Sequence, residues 1–370
     1  MVCFSCNNKE NIKSIRISTD NNDKYKFSDL FTDLSIIIPQ TNEESLFGID
    51  IVRLEVHKDK LFLLNQKQAG KNILCFDNEG RFLFSIDRIG NGPGEYSHLG
   101  DFFIDRKKEC LIIVGESNKW FYFDLDGVFL YSEEDPENTI SYYTDEFNDS
   151  LYVSYTGCSV KDCNNVKLID RSTRKNVYLI SSEPEHDVYT PSLPISMSKD
   201  NKYYYCGNDT IYNITSQLGS VVPVYCLDFG DKHRKFKQRI KNIPESDKLA
   251  RVFNEYKDDG FKMTRFFVAN KDYFSFNYFE MCYGDRNVVY DNIFYNIKTK
   301  KSICSKNLKF DVLGIDNSIN ISVVGCFDDY FYAVINDDIS VANLEKIKSS
   351  KYISNHYCPT KIKIYSNILF

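Results

Sequence analysis

Residues 86–132 read IDRIGNGPGEYSHLGDFFIDRKKECLIIVGESNKWFYFDLDGVFLYS, and they decide how the rest of the chain is interpreted. A Gly- and Pro-rich connector is followed by three short runs of β-branched and aromatic residues, at 111–114, 120–123 and 128–131. Each run is too short for a stable helix and suits a half-buried sheet. Residues 101–105 precede them and are predicted to form the innermost strand. Four antiparallel strands in one unit form the blade of a β-propeller.

The turn inside this unit is repeated upstream. Residues 123–130 read FDLDGVFL, and residues 76–83 read FDNEGRFL, 47 positions earlier. Asp at the start of such a turn bonds its own backbone, and Gly at its end accepts a positive φ, so both copies predict tight hairpins. A period somewhat above the ~40–45 residues of WD-type blades indicates a propeller with long loops.

These motifs carry a resemblance to a known family. The segments LFGIDIVRLEVHKDKLFLLNQ and FDNEGRFLFSIDRIGNGPGEYSHLGDFFID resemble a six-bladed β-propeller family of anaerobic gut bacteria, often lipoproteins, that is similar to NHL-repeat propellers. The signature is RIGNGPGEY at 88–96; residues 208–212 and 361–370 are similar to later strands of the family. The resemblance implies the fold, and it implies little about a substrate because many members have no assigned activity.

The predicted fold is therefore an all-β, six-bladed β-propeller that forms a single domain over residues 24–370. The blades are expected at about 47–86, 86–132, 140–182, 189–229, 263–307 and 320–370. A strand at 13–17 is expected to complete the last blade, which removes an exposed sheet edge.

One segment departs from the β pattern. Residues 231–259 contain few β-formers and many charged residues, which predicts a helical insertion of two short helices, broken around Pro244, between blades four and five. Its first half is basic, and this indicates either a solvated helix face or a patch for an anionic sugar or phosphorylated ligand.

Composition restricts the possible partners. The net charge of the 370-residue chain is −6, which argues against a nucleic-acid partner. No apolar run approaches the ~18 residues of a membrane-spanning helix. The 15% aromatic content fits strands that pack face to face. We expect a monomer.

The first 23 residues are predicted to be a polar tether. Ser5 followed by Cys6 and a polar stretch is similar to the end of a bacterial lipoprotein signal, so Cys6 is the candidate for lipid attachment. The alternative is an ordinary frayed terminus. A lipid anchor would place the protein in the bacterial cell envelope, periplasmic or surface-exposed. Cys158 and Cys163 flank a loop that they could bridge.

Five residues are candidates for ligand binding, because ligands of propellers bind at the mouth of the central channel. Arg88, Glu95 and Tyr96 belong to the connector, and His98 follows it. Trp120, the single tryptophan, could stack on a sugar ring, although its place in an aromatic strand favours packing between blades. The connector glycines alone indicate only a turn between blades.

No catalytic motif of a known enzyme class is present, and no catalytic residue or resident metal site is predicted. Two functions remain open. The first is an extracytoplasmic binding or scaffolding propeller that recognises a glycan, peptide or protein and needs no cofactor. The second is a hydrolase or lyase that uses a divalent cation at the channel mouth. A convergent group of three or more Asp, Glu, His or Asn side chains would favour the second function.

Overall fold

A computed structural model describes most of the chain. The described residues are 12–17, 25–31, 33–40, 42–46, 50–67, 70–115, 119–136, 141–156, 166–180, 195–197, 203–206, 209–215, 220–240, 243, 261–281, 288–305, 308–313, 321–327, 330–335, 346 and 361–366. No helix among them has the length and hydropathy needed to cross a membrane.

The chain begins with β1 (Lys13–Arg16), β2 (Tyr25–Lys26), helix α1 (Phe27–Leu30) and β3 (Asp33–Ile37). The remaining strands form successive sheets. The first is built from β4 (Asp50–His57), β5 (Lys60–Lys67), β6 (Gly70–Asp77) and β7 (Phe82–Ile86). The second contains β8 (Leu99–Asp105), β9 (Cys110–Gly115), β10 (Lys119–Asp124) and β11 (Phe129–Glu134). The third contains β12 (Tyr143–Glu146), β13 (Leu151–Tyr155), β14 (Val166–Asp170) and β15 (Asn176–Ile180).

The second half continues this order. The next sheet contains β16 (Ile195–Met197), β17 (Tyr203–Cys206), β18 (Thr210–Thr215) and β19 (Ser220–Asp228), with β1 as its fifth strand. After helix α2 (Asp231–Ile240) come β20 (Phe261–Ala269), β21 (Tyr273–Met281), β22 (Val288–Asn296) and β23 (Lys301–Cys304). A short β24 (Leu308–Lys309) pairs with β2, and a 3-10 turn follows at Asp311–Leu313. The last sheet contains β25 (Ile321–Phe327), β26 (Tyr330–Ile335) and β27 (Lys361–Ser366), with β3 at its edge.

This arrangement is an all-β propeller with few helices. Five of its sheets have four strands, as regular blades do, and one sheet has five, so the structure shows five regular blades where the sequence predicts six. The innermost strands lie side by side around the centre: β4 beside β8, β8 beside β12, β16 beside β20, β20 beside β25, and β25 beside β4.

Apolar side chains hold neighbouring sheets together. In the described part of the chain they form six buried clusters, and each cluster draws its members mainly from two successive sheets. One cluster, for example, joins Phe103 and Trp120 of the second sheet to Tyr152 of the third. The central strands are therefore mostly apolar, as in β9, where all six residues are buried.

The N-terminal strand closes a different sheet from the predicted one. Strand β1 pairs in parallel with β19, so it extends the fourth sheet, and β3 is the N-terminal strand that completes the last sheet. Only Ile15 of β1 is buried, whereas β3 buries Leu34, Ile36 and Ile37. Strand β3 therefore buries more apolar side chains than β1 does. The prediction that residues 13–17 complete the last blade is wrong.

The last sheet also departs from the antiparallel pattern. Strand β27 runs parallel to both β26 and β3. Helix α2 begins where the helical insertion was predicted, directly after the fourth sheet. Residues 244–260, which include the predicted second helix, lie outside the described residues, so the two-helix insertion stays a prediction.

The hairpin turns follow the chemistry that their sequence indicates. Oδ1 of Asp124 accepts hydrogen bonds from the backbone N–H groups of Asp126 and Val128, at 2.9 and 2.8 Å. Asp77 holds the preceding turn in the same way. Gly127 has φ +81°, a conformation that a residue with a Cβ adopts only with strain.

Gly127→Ala is expected to lower the free energy of unfolding by about 2–4 kcal/mol, since it adds a steric clash to the φ strain. A Cβ at this position would lie 2.6 Å from the ring of Phe84. The matched control is Gly230→Ala, where φ is +90° and a Cβ would meet nothing within 4 Å. This control should cost only about 1–2 kcal/mol. Chemical denaturation measures both losses, and equal losses would contradict the close approach of Phe84.

Asp170 makes the turn after β14 sensitive to acid. Hydrogen bonds from Ser172 and Thr173 lower its pKa to about 2. A carboxyl group with a lowered folded-state pKa stabilises the fold above its unfolded-state pKa, and this contribution is lost as the pH falls through the folded-state value. Asp170→Ala should therefore lower the melting temperature at pH 7, and the difference from wild type should shrink between about pH 4 and pH 2. A constant difference across this range would contradict the assignment.

Candidate functional site

The inner strands of the first three sheets share a buried ion cluster. At its centre, the side chain of Arg53 on β4 is 1% exposed. Its Nη2 donates to Oε1 of Glu55 at 2.6 Å, and its Nη1 donates to Oδ2 of Asp101 on β8 at 2.7 Å. Nη1 also donates to the carbonyl oxygen of Thr144 on β12, at 2.7 Å. One side chain therefore ties three successive inner strands together.

The cluster extends toward solvent through two more arginines. Arg106 lies 3.1 Å from Oε2 of Glu55 and 3.2 Å from Oε2 of Glu146. Arg171 pairs with Glu146 and lies 3.6 Å from Asp105. Three arginines thus face five carboxylates, those of Glu55, Asp101, Asp105, Asp145 and Glu146.

Burial and charge oppose each other in the centre of this cluster. Burial raises the pKa of Glu55 and of Asp101, and the positive charge of Arg53 limits both rises. Burial also acts to lower the pKa of Arg53, but the negative charges of Asp101 and Glu55 outweigh it and hold this pKa well above its ordinary value. Arg53 consequently stays protonated at any physiological pH.

The cluster is suited to hold the inner strands in register. Each of its central carboxylates already accepts hydrogen bonds, Asp101 from Arg53 and from the backbone N–H of Thr144. No group of three or more His, Cys, Asp and Glu side chains in the described ranges is placed to hold a metal ion. The carboxylates that converge on the inner strands are paired with arginines.

The predicted connector folds back on itself. The N–H of Tyr96 donates to the carbonyl oxygen of Arg88 at 2.9 Å, and the N–H of Gly90 donates to that of Tyr96 at 3.1 Å. The side chain of Tyr96 is buried, its hydroxyl donates to the carbonyl oxygen of Ile86, and burial raises its pKa to about 12. Tyr96 therefore anchors the loop beneath the surface.

Glu95 and Arg88 lie on the exposed side of this loop. Oε2 of Glu95 accepts the N–H of Gly92 at 2.8 Å, and a Cβ on Gly90 would fall 2.0 Å from the same oxygen. The carboxylate therefore fastens the turn, and Gly90 is needed for its close approach. Arg88 projects from a loop that its neighbours hold in one shape.

The other sequence candidates are separated from one another. His98 is half-buried beside β8, and Trp120 is 2% exposed between the second and third sheets. The ring of Trp120 lies 5.9 Å from that of Phe103 and 5.5 Å from that of Tyr152. Cys6, Cys158 and Cys163 lie outside the described residues. Ligand binding by any of the five candidates stays a prediction.

The strand directions define two faces of the ring. Connectors that lead into β4, β8 and β12 lie on one face, here called the connector face, and the turns that follow these strands lie on the opposite hairpin face. Three large apolar side chains on the connector face are about half exposed: Leu46 at 53%, Ile89 at 50% and Tyr142 at 52%. Each belongs to a different one of these connectors.

The backbone around two of these side chains is firmly held. Asn42 accepts the N–H groups of Glu44 and Ser45, and the buried Ser45 hydroxyl donates to the carbonyl oxygen of Gln40, just before Leu46. The N–H of Tyr142 donates to the carbonyl oxygen of Tyr155 at 2.9 Å. Ordered loops lose less entropy when a ligand binds to them.

Family comparison agrees with this single propeller. Residues 12–363 match the family described as a domain of unknown function, DUF4934. The chain belongs to this family. No curated protein matches the sequence. The resemblance to a six-bladed lipoprotein family is confirmed only as far as a propeller of the DUF4934 family.

Several solved structures are similar to this DUF4934 protein. A Bacteroides fragilis protein described as a "putative exported protein" is 19% identical, with a TM-score of 0.67 over 93% of this chain and 97% of that one. A member of the DUF4221 family from Bacteroides vulgatus is 10% identical, with a TM-score of 0.47 over 73% and 83%. Virginiamycin B lyase from Staphylococcus aureus is 12% identical, with a TM-score of 0.37 over 65% and 75%.

Proposed function

We propose that this DUF4934 protein is an extracytoplasmic binding or scaffolding propeller whose connector face recognises a protein, peptide or glycan. The observation that carries the proposal is the half exposure of Leu46, Ile89 and Tyr142 on one face. Each side chain belongs to a different connector, so the three would offer a partner separate apolar contacts on one face. Arg88, Glu95 and His98 belong to or follow the middle connector and would supply polar contacts.

Two observations support a location of the protein in the cell envelope. The protein shares its fold with a Bacteroides fragilis protein described as exported. Ser5 before Cys6 is similar to the end of a lipoprotein signal. We therefore place the monomeric propeller in the cell envelope, on the periplasmic side or on the surface, held by a lipid on Cys6.

We also propose that the ring has six blades, with the five-stranded sheet counted as one blade. Support comes from the six apolar clusters between successive sheets and from the order of the inner strands. In such a ring the connectors that lead into β4, β8 and β12 are neighbours. Their exposed apolar side chains would then lie in one sector of the connector face.

Peptide and glycan arrays test the proposed function. The connector-face variant is Leu46→Ser/Ile89→Ser/Tyr142→Ser. The control is Leu83→Ser/Val177→Ser/Val222→Ser, which removes similarly exposed side chains from the outer strands. We expect wild type and control to bind the same array members and the connector-face variant to lose them, with all three melting temperatures within a few degrees. Equal binding by the two variants would contradict the proposal.

A thermal-shift titration with Ca²⁺, Mg²⁺ and Zn²⁺ tests the hydrolase or lyase. An ion that binds the folded state must raise the melting temperature. The binding function predicts no shift. A stoichiometric ion with a clear shift, lost when acidic residues at the channel mouth are replaced, would instead favour the enzyme.

A further inference from the structure

Helix α2 lies on the connector face as well. Strand β19 runs toward this face, and α2 begins three residues after it ends. His233 of this helix is buried; its ring lies 5.1 Å from that of Phe229, which stacks on Tyr278 of β21 at 5.6 Å. The helix therefore sits over the seam between the fourth and fifth sheets, whereas the exposed apolar side chains precede the first three sheets.

The outward side of α2 is basic. The ten residues Asp231–Ile240 include five Lys and Arg and one Asp, in a chain whose net charge is −6. Arg234 is paired with Asp228 and Asp231 at the base of the helix. Lys235 and Arg239 are exposed and one turn apart, so they share the side of the helix that points away from His233.

The connector face is consequently asymmetric in charge. Near Leu46, the exposed side chains of Glu43 and Glu44 carry negative charge. An acidic partner segment would be repelled there and attracted at α2. Complementary charges of this kind steer the encounter and fix the orientation of a complex.

We propose that the partner on the connector face is a protein with an acidic segment, which docks against α2 while the apolar side chains of the partner cover Leu46, Ile89 and Tyr142. This inference rests on the proposed function and adds the charge of the ligand and its orientation. A protein fits better than a glycan because two of the three apolar side chains are aliphatic, and protein interfaces bury such side chains in their centres.

The test uses two fluorescein-labelled peptides, one that alternates Glu with Leu and one in which Lys replaces every Glu. Wild type should bind the Glu peptide more tightly than the Lys peptide, and less tightly as salt is added. Lys235→Glu/Arg239→Glu should weaken binding of the Glu peptide at least about tenfold. Lys107→Glu/Lys119→Glu, a control with two exposed lysines of the second sheet, should change it less than about twofold.

Three outcomes would overturn the inference. The first is equal binding of the two peptides by wild type, and the second is an equal loss of Glu-peptide affinity in the two variants. The third is tighter binding of heparin or of phosphatidylglycerol vesicles than of the Glu peptide. If array ligands are lost by the connector-face variant yet show no preference for acidic sequences, the inference fails and the proposed function stands. If the Glu peptide binds at α2 but no array ligand depends on the three apolar residues, the proposed function fails, and the inference fails with it.

Discussion

Arg53→Ala is expected to lower the free energy of unfolding by about 3–5 kcal/mol, the cost of leaving buried charges without their partner. The replacement leaves the carboxylates of Glu55 and Asp101 without their partner, and both side chains are only 4% exposed. It also removes the link from β4 to Thr144 on β12. Chemical denaturation monitored by circular dichroism measures the loss.

The loss should depend on pH. Without Arg53, the folded-state pKa of both buried carboxyl groups rises further above the unfolded-state value. A group with a raised folded-state pKa stabilises the fold below its unfolded-state pKa, and that contribution disappears as the pH rises through the folded-state value. The deficit of the variant should thus be smaller near about pH 4 than near pH 7.

Arg81→Ala is the matched control. Arg81 is 69% exposed and pairs with Asp77 in a hairpin turn. Exposed pairs contribute about 0–1 kcal/mol, so this variant should be close to wild type at both pH values. A loss for Arg53→Ala no larger than that of the control would show that the ion cluster does not hold the inner strands.

Trp120→Ala is expected to lower the free energy of unfolding by about 3–5 kcal/mol, as large-to-small changes in a core do. Trp120 fills the seam between the second and third sheets, between the rings of Phe103 and Tyr152. The matched control is Leu130→Ala, whose side chain is 49% exposed on β11 and should contribute less than about 1 kcal/mol.

The fluorescence of Trp120 distinguishes an indole packed between two sheets from one that is exposed for contact with a ligand. Trp120 is the single tryptophan, so the emission reports on one seam alone. A packed indole should emit at short wavelength and resist quenching by acrylamide. Ready quenching together with a small loss of stability would contradict the packing role and return Trp120 to the ligand-binding candidates.

The sequence predicts strands and turns well because their signals are local. Asp124 and Gly127 sit where a tight hairpin requires them, and the structure places that hairpin between β10 and β11. Closure of the ring is less predictable since it depends on contacts between distant segments. Residues 13–17 read as the closing strand, and only the packing of Leu34 and Ile36 against the last sheet shows that β3 closes it instead.

The sequence indicates the candidate site only in part. The glycines of the connector at 88–96 make it the most conspicuous motif of the sequence. In the structure they allow a tight loop that the carboxylate of Glu95 holds in place. The ion cluster could have been found: Arg53 and Glu55 alternate with Val52, Leu54 and Val56, which places two opposite charges on one side of an otherwise apolar strand. Leu46 and Tyr142 carry no comparable signal, because exposure of a single apolar residue depends on how the connector folds.

The most direct test of the connector face is hydrogen–deuterium exchange of the protein with and without its strongest array ligand. A bound ligand should slow exchange at residues 42–46, 87–98 and 141–142 and leave the turns of the hairpin face at 77–81, 124–128 and 170–175 unchanged. Slower exchange confined to the hairpin face or to the outer strands would contradict the account.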